Sequence, residues 1–129
     1  MTLFSNNKTF KDLHTKEQRI TESNRILTKY PDHIPVIIDC SDKIGQLKKQ
    51  KFLVPSDVSV SHLLHSVRKQ FENKKTEAVF MFCNDSLLCP TTMMRSIYTE
   101  YKIKNKITDS GDTDKFLYIY MASENTFGN

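Results

Sequence analysis

No stretch of this 129-residue sequence approaches a membrane span, which needs about 18 consecutive apolar residues. The first residues, MTLFSNNKTFKD, lack the apolar middle and the small-residue cleavage site of a signal peptide. The sequence has three cysteines, and an odd count argues against the disulfide framework of a secreted domain. These absences predict a protein that is made and kept in the cytosol.

Motifs for enzymatic chemistry are also scarce. Gly45 stands alone in its region, so there is no glycine-rich loop for phosphate. His62 and His65 lack an acid or cysteine at zinc-ligand spacing. Cys83 and Cys89 flank a turn, and no pattern supplies the base and orienting group that a cysteine nucleophile needs. The sequence therefore predicts neither an enzyme nor a metal or cofactor site.

The charge is modest and unevenly spread. The net charge is +4, and the excess lies in residues 1–30 and in Lys48, Lys49 and Lys51. Such faces attract acidic peptides, anionic lipid or nucleic acid, although a solvated surface is the simpler interpretation. Few exposed aromatic residues accompany the basic ones, so nucleic acid is not an expected partner.

The apolar and charged fractions, 38% and 26%, are those of one globular domain. Residues up to Lys29 have a helical pattern that is broken once or twice. VIIDC (36–40) and KFLVP (51–55) are predicted strands, and their closeness in sequence favours an antiparallel pair.

The second half contains the most regular helix pattern. Apolar residues recur at helical spacing in SVSHLLHSVRKQFE, with Ser59 as the predicted N-cap. EAVFMFC (77–83) is predicted to be a central strand buried on both faces. A short helix capped by Thr91 or Thr92 and a last strand, FLYIYM (116–121), follow. A hairpin, a crossing helix and two further strands are the connectivity of a β-grasp, although another small α+β sandwich fits the same periodicity.

Three segments follow one another along the chain: KYPDHIPVI (29–37), KFLVPSDVSV (51–60) and FLYIYMASENTFG (116–128). Together they resemble the autophagy-related ubiquitin-like modifier family, which includes GABARAP, and the resemblance covers roughly residues 14–128. It implies an α+β fold, a ubiquitin-like β-grasp with a four-stranded mixed sheet and two additional N-terminal helices. The expected divisions are a helical extension (1–30), the ubiquitin-like domain (31–123) and a flexible tail (124–129).

The resemblance also gives the tail a function. It implies that a cysteine protease cleaves the Gly128–Asn129 bond, with Phe127 as a recognition residue. Activating and conjugating enzymes would then transfer the Gly128 carboxylate to the amine of phosphatidylethanolamine. The protein would be cytoplasmic before conjugation, and on the autophagosome or another vesicle membrane after it.

The family further implies a groove for cargo receptors that carry aromatic-x-x-aliphatic motifs. Its expected aromatic pocket consists of Glu22, Ile26, Pro35, Ile37, Lys51, Leu53 and Phe116. Its expected aliphatic pocket consists of Phe52, Val54, Pro55, Val58, Leu63 and Val67. Lys48, Lys49 and Arg68 would form a basic rim. For the apolar members, and most seriously for Leu63 and Val67, ordinary core packing is the competing interpretation.

The sequence departs from the family pattern in five places. His33 and Gln70 stand where basic residues are usual, and Lys16 replaces an early phenylalanine. Lys102–Thr113 is a longer loop, and the chain also has extra residues before His14. That loop is polar, so we expect it to be mobile and dispensable for folding. Three alternative functions remain. They are a modifier of another organelle membrane, a microtubule-binding adaptor that uses the basic N-terminal helices, and a cysteine enzyme.

Overall fold

The computed structural model describes residues 8–41, 44, 47–70 and 78–123. Within these residues the chain forms four helices and five strands. In chain order they are α1 (Phe10–Leu13), α2 (Lys16–Lys29), β1 (His33–Cys40), β2 (Lys51–Pro55), α3 (Val60–Arg68), β3 (Val79–Cys83), β4 (Ser86–Leu87), α4 (Met94–Lys104) and β5 (Leu117–Ser123). The α+β class and the two additional N-terminal helices are confirmed.

The strands form one mixed sheet in the order β2-β1-β5-β3-β4. The predicted β1–β2 antiparallel pair is confirmed, and β1 runs parallel to β5. The prediction that 77–83 is a central strand is wrong, because β5 occupies the centre of the sheet and β3 is only partly buried. The predicted four strands become five, since Asn84 and Asp85 adopt positive φ angles and return the chain as β4 beside β3.

The two faces of the sheet carry separate apolar clusters. Residues of β1 alternate between them, because successive strand side chains point to opposite faces. Val36 and Ile38 join the main core with Leu63 and Val67 of α3. On the other face, a smaller cluster consists of Phe10, Ile26, Ile37 and Phe116. The helices α1 and α2 therefore cover one face while α3 and α4 cover the other.

Helix caps explain where the helices begin. Thr9 and Thr15 each form a capping box at the starts of α1 and α2, and Ser59 caps α3 as predicted. The predicted cap of α4 at Thr91 or Thr92 is wrong, because the N-cap is Met93 and its side chain makes no capping bond. The first amides of α4 donate instead to backbone carbonyls of the segment after β2. Met94 N donates to Val58 O at 2.8 Å, and Arg95 N to Ser56 O at 3.1 Å.

The connection between α4 and β5 is anchored to the rest of the domain. Its predicted start at Lys102 is wrong, since α4 continues to Lys104. Ile107 is partly buried and packs against the main core, and the Asn24 amide of α2 donates to the carbonyl of Thr113 at 3.3 Å. The expectation that this loop is dispensable rested on its polar sequence and stays a prediction, whereas Ile107 packs against the core and ties the loop to it.

We now expect Ile107→Ala to lower the free energy of unfolding by about 1–2 kcal/mol, because it removes a partly buried side chain. The matched control is Ile103→Ala, whose side chain is 73% exposed, and it should change stability by less than about 0.5 kcal/mol. Urea unfolding followed by circular dichroism measures both. Equal stability of the two variants would mean that the connection does not contribute to the core.

Candidate functional site

The outer edge of β2 is available for backbone pairing. Ile38 N donates to Gln50 O at 2.9 Å, which fixes which residues of β2 bond to β1. With this register, the backbone N–H and C=O groups of Lys51 and Leu53 point away from β1. Among the described residues no strand pairs with that edge. Pro55 ends it, because proline has no N–H to donate.

The seven residues predicted for an aromatic pocket do come together beside this edge. Ile26, Pro35, Ile37 and Phe116 are buried, so they form a floor rather than an open cavity. Leu53 lies opposite Pro35 in the strand pair and is 39% exposed. The predicted pocket is thus an apolar floor with one accessible leucine beside it.

Sequence reasoning missed Phe10, which belongs to the same cluster. Its ring packs edge-on against Phe116 at a centroid distance of 5.4 Å, and Asp39 Oδ1 accepts a 3.0 Å bond from its backbone N–H. A signal was present in the sequence. Thr9 followed by Asp12 is a capping-box pattern that places Phe10 at the start of a helix.

Charged side chains close the mouth of this pocket. The Glu22 carboxylate accepts a 2.9 Å bond from Arg25 Nε and pairs with Lys51 Nζ, which reaches it from β2. The hydrogen bonds from Arg25 and then Lys51 lower the pKa of Glu22 to about 2. Glu22 is therefore ionised at neutral pH, and it joins α2 to the edge strand.

This ion pair gives the stability a pH dependence of known sign. The folded-state pKa of Glu22 lies below its ordinary value of 4.5, so its contribution is complete above that value and is lost as the pH falls towards about 2. Because Lys51 is about two-fifths exposed, we expect a loss of about 1 kcal/mol or less. Urea unfolding between about pH 5 and about pH 2.5 should show a smaller loss for Glu22→Gln than for the wild type. Identical pH profiles would contradict the pairing.

An open depression of about 820 Å³ adjoins this mouth. Its walls are α1, the first half of α2 and the segment that enters β2. Of the predicted site residues, Glu22, Lys51, Lys48 and Lys49 line it. The structure therefore places two of the three predicted rim residues beside the aromatic pocket. The depression also includes residues that sequence reasoning missed, namely His14, Glu17, Gln18 and Thr21.

The residues predicted for the aliphatic pocket divide into two groups. Val54, Leu63 and Val67 are buried in the main core, as the competing interpretation held. Phe52 and Val58 are partly buried against that core, and Pro55 is exposed. Only this second group offers accessible surface between β2 and α3.

Gln70 makes specific contacts beside this surface. Its carboxamide accepts a bond from Lys49 N and donates one to Lys49 O, both at 3.1 Å. Lys49 Nζ in turn lies 5.1 Å from the centre of the Phe52 ring. The sequence suggested only that a positive charge is lost at Gln70. In the structure, the Gln70 side chain links the segment that enters β2 to the end of α3 by two hydrogen bonds.

The cysteines have different environments. Burial raises the pKa of the Cys83 thiol to about 11, and Cys89 is exposed, with its pKa lowered by hydrogen bonding to Thr91. Among the residues that the structure describes, no three His, Cys, Asp or Glu side chains are grouped to hold a metal ion. No helix in the same part of the chain is long and apolar enough to cross a membrane. Phe127, Gly128 and Asn129 lie outside the described residues.

In the sheet, β1 and β5 form a parallel central pair, β2 pairs with β1 in the antiparallel direction, and α3 crosses one face. This arrangement defines a ubiquitin-like β-grasp protein. The family described as "Autophagy protein Atg8 ubiquitin like" matches residues 18–128. The chain belongs to this family, and the resemblance seen in its three sequence segments is confirmed.

Relatives from fungi and plants cover nearly the whole chain. Autophagy-related protein 8 of Schizosaccharomyces pombe is 41% identical over 121 residues, covering 92% of this chain and 93% of that protein. Autophagy-related protein 8h of Arabidopsis thaliana is 36% identical over 123 residues, covering 94% and 96%. The crystal structure of Trypanosoma brucei ATG8 superposes with a TM-score of 0.76 at 31% identity, covering 91% of this chain and 95% of that one.

Proposed function

We propose that this chain is a non-catalytic modifier that is conjugated through Gly128 to phosphatidylethanolamine and recruits cargo receptors during autophagosome formation. The observation that carries the proposal is the edge of β2 at Lys51 and Leu53, which no strand of the described residues pairs, directly beside the apolar floor that contains Phe116. An extended peptide can add a strand to such an edge, with its backbone supplying affinity and its side chains supplying specificity.

The two faces of β2 separate the side chains of such a peptide. Leu53 and Lys51 face the side of α2, whereas Phe52 packs against the core on the side of α3. An aromatic side chain would pack beside Leu53, and an aliphatic one beside Phe52 and Val58. Because the floor residues are buried, the aromatic ring would enter by displacing the Glu22–Lys51 pair from the mouth.

Acidic residues that flank the motif would meet the basic rim. Lys48 and Lys49 line the depression next to the mouth, and Arg68 lies at the end of α3. Charges of this kind mainly raise the rate of encounter, and each exposed pair contributes roughly 0–1 kcal/mol. Burial of an aromatic ring contributes more, at about 25 cal/mol per Å² of apolar area.

The conjugation half of the proposal is supported by the family match, which extends as far as Gly128. A terminal glycine has no Cβ, so it can pass through the narrow channels of a protease and an activating enzyme. Attached acyl chains would then hold the domain on a membrane, at about 0.8 kcal/mol for each buried CH₂ group. The processing protease and the activating and conjugating enzymes are the partners that this chemistry requires.

Leu53→Ala is expected to weaken binding of an aromatic-x-x-leucine peptide about tenfold or more, because the variant removes apolar contact with the aromatic side chain. Lys48→Ala should weaken it by less than about fivefold, and the lysine effect alone should shrink at high salt. Calorimetry at two salt concentrations measures both.

The matched control is Leu87→Ala, which removes an exposed leucine from β4 at the opposite edge of the sheet. It should bind the peptide as tightly as the wild type. If Leu53→Ala also binds as tightly, the peptide groove does not lie at β2, and this part of the proposal is wrong.

A further inference from the structure

A second cleft, of about 460 Å³, lies between α2, α4 and the connection from α4 to β5. None of the residues assigned above to peptide binding lines it. Three cationic side chains do, namely Arg95 and Lys102 from α4 and Lys115 just before β5. They come from two separate parts of the chain, which the fold brings to one cavity.

Lys115 is buried and is held in place by several hydrogen bonds. It is only 7% exposed, its backbone N–H donates to Ser23 Oγ at 2.9 Å, and its carbonyl accepts a 2.7 Å bond from Tyr98. Its ammonium donates to Asn24 Oδ1 and to the carbonyl of Ser110, both uncharged acceptors. Within the described residues the third N–H bond of this ammonium has no partner. A buried cation without a counter-ion is costly, so an anion at this position would be favourable.

The charges that line the cleft also favour binding of an anion. In the described part of the chain, Arg95 and Lys102 form no salt bridge, and Lys102 Nζ lies 4.5 Å from the centre of the Tyr98 ring. Asp109 is the one carboxylate among the described lining residues. His33 also lines the cleft, and its Nδ1 is buried with no hydrogen-bond partner among those residues.

We propose that this cleft binds a phosphate group, presented either by a soluble phosphate ester or by a phosphorylated lipid headgroup. Three cations and one carboxylate leave the cleft with a net positive charge, which a phosphate group would neutralise. Phosphate oxygens also accept several hydrogen bonds at once. A guanidinium presents its donors in a fork that matches phosphate, and ammonium groups act as point charges beside it. His33, whose ring Nδ1 has no partner among the described residues, is a further polar residue of the cleft.

Lys115, which the cleft contains, lies just before the start of β5, whereas Ser123 is the last residue of that strand. A seven-residue strand spans about 20 Å, so the length of β5 separates Lys115 from the residue that precedes the tail. The proposal therefore stands or falls separately from peptide binding and conjugation.

The test is a titration of the isotope-labelled protein with inorganic phosphate, followed by amide chemical shifts and compared with chloride at equal ionic strength. Saturable shifts should centre on the amides around Arg95, Lys102 and Lys115. Arg95→Gln and Lys102→Gln should each weaken phosphate binding about fivefold. The matched control is Lys104→Gln, which removes the same charge from the same helix at a residue that pairs with Glu100 outside the cleft. Thermal unfolding of all variants checks that each is folded.

A second arm separates the two sources of phosphate. Vesicles of phosphatidylcholine with phosphatidylinositol 4-phosphate are compared with phosphatidylcholine alone in a sedimentation assay. Vesicle binding that Arg95→Gln weakens and Lys104→Gln does not would assign the cleft to a lipid headgroup, and phosphate binding without vesicle binding would assign it to a soluble ester. Shifts that do not saturate, or an equal weakening by Lys102→Gln and Lys104→Gln, would overturn the proposal.

Discussion

Gly128→Ala is expected to reduce both cleavage after residue 128 and conjugation to phosphatidylethanolamine to a small fraction of the wild-type level. The added Cβ and the restricted φ angle hinder passage of the tail through the enzymes that must grip it. Intact mass of the protein after treatment with the family's processing protease measures cleavage. The fraction that sediments with membranes measures conjugation.

The control for this prediction is Asn129→Ala, which changes the other side of the same bond. It should be cleaved like the wild type, because Phe127 and Gly128, the residues proposed for recognition and cleavage, are unchanged. Wild-type protein that is not cleaved, or equal cleavage of Gly128→Ala, would contradict the proposed function. Neither result would affect the fold or the phosphate cleft.

Phe116→Ala should cause the largest loss of stability, about 3–5 kcal/mol in the free energy of unfolding. Phe116 is fully buried, and its ring contacts those of Phe10 and Tyr118 at centroid distances of 5.4 and 6.3 Å. Its removal leaves a cavity beneath both N-terminal helices. Denaturant unfolding followed by circular dichroism measures the change.

A matched exposed aromatic residue lies on β5, the strand that Phe116 directly precedes. Tyr120 is 43% exposed, so Tyr120→Ala should cost about 1 kcal/mol or less. If Phe116→Ala cost no more than Tyr120→Ala, the smaller apolar cluster would not contribute to stability. Together with Leu53→Ala, this pair separates residues that hold the fold from residues proposed to meet a peptide.

Local patterns in the sequence determined several elements of this protein. The helical spacing of apolar residues in α3, its Ser59 cap, and the β-branched run of β1 are each readable within about ten residues. Only residues 41–50 separate β1 from β2, fewer than the dozen or so that a parallel crossover needs, so their antiparallel pairing follows from chain length. Alternation along β2 likewise separates Phe52 from Leu53 without reference to the rest of the chain.

Family resemblance then supplied candidate site residues, but it could not assign their burial. Leu63, Val67 and Val54 were named for an aliphatic pocket and are buried in the core. Whether an apolar residue lines an accessible pocket or is buried in the core depends on the elements that pack against it. That is a tertiary property, which the residue's own neighbours in sequence do not carry.

The features that only the tertiary structure decided all join distant parts of the chain. The amides at the start of α4 are satisfied by carbonyls of Ser56 and Val58, so no local cap was needed or visible. The strand β3 is not at the centre of the sheet, because β5, which follows it in sequence, pairs with β1 in parallel. The cationic cleft exists because Lys115 is bonded to Ser23 and Asn24 of α2. Sequence patterns determine local conformation over a few residues, whereas a cavity and its charge balance arise only when segments about 90 positions apart are brought into contact.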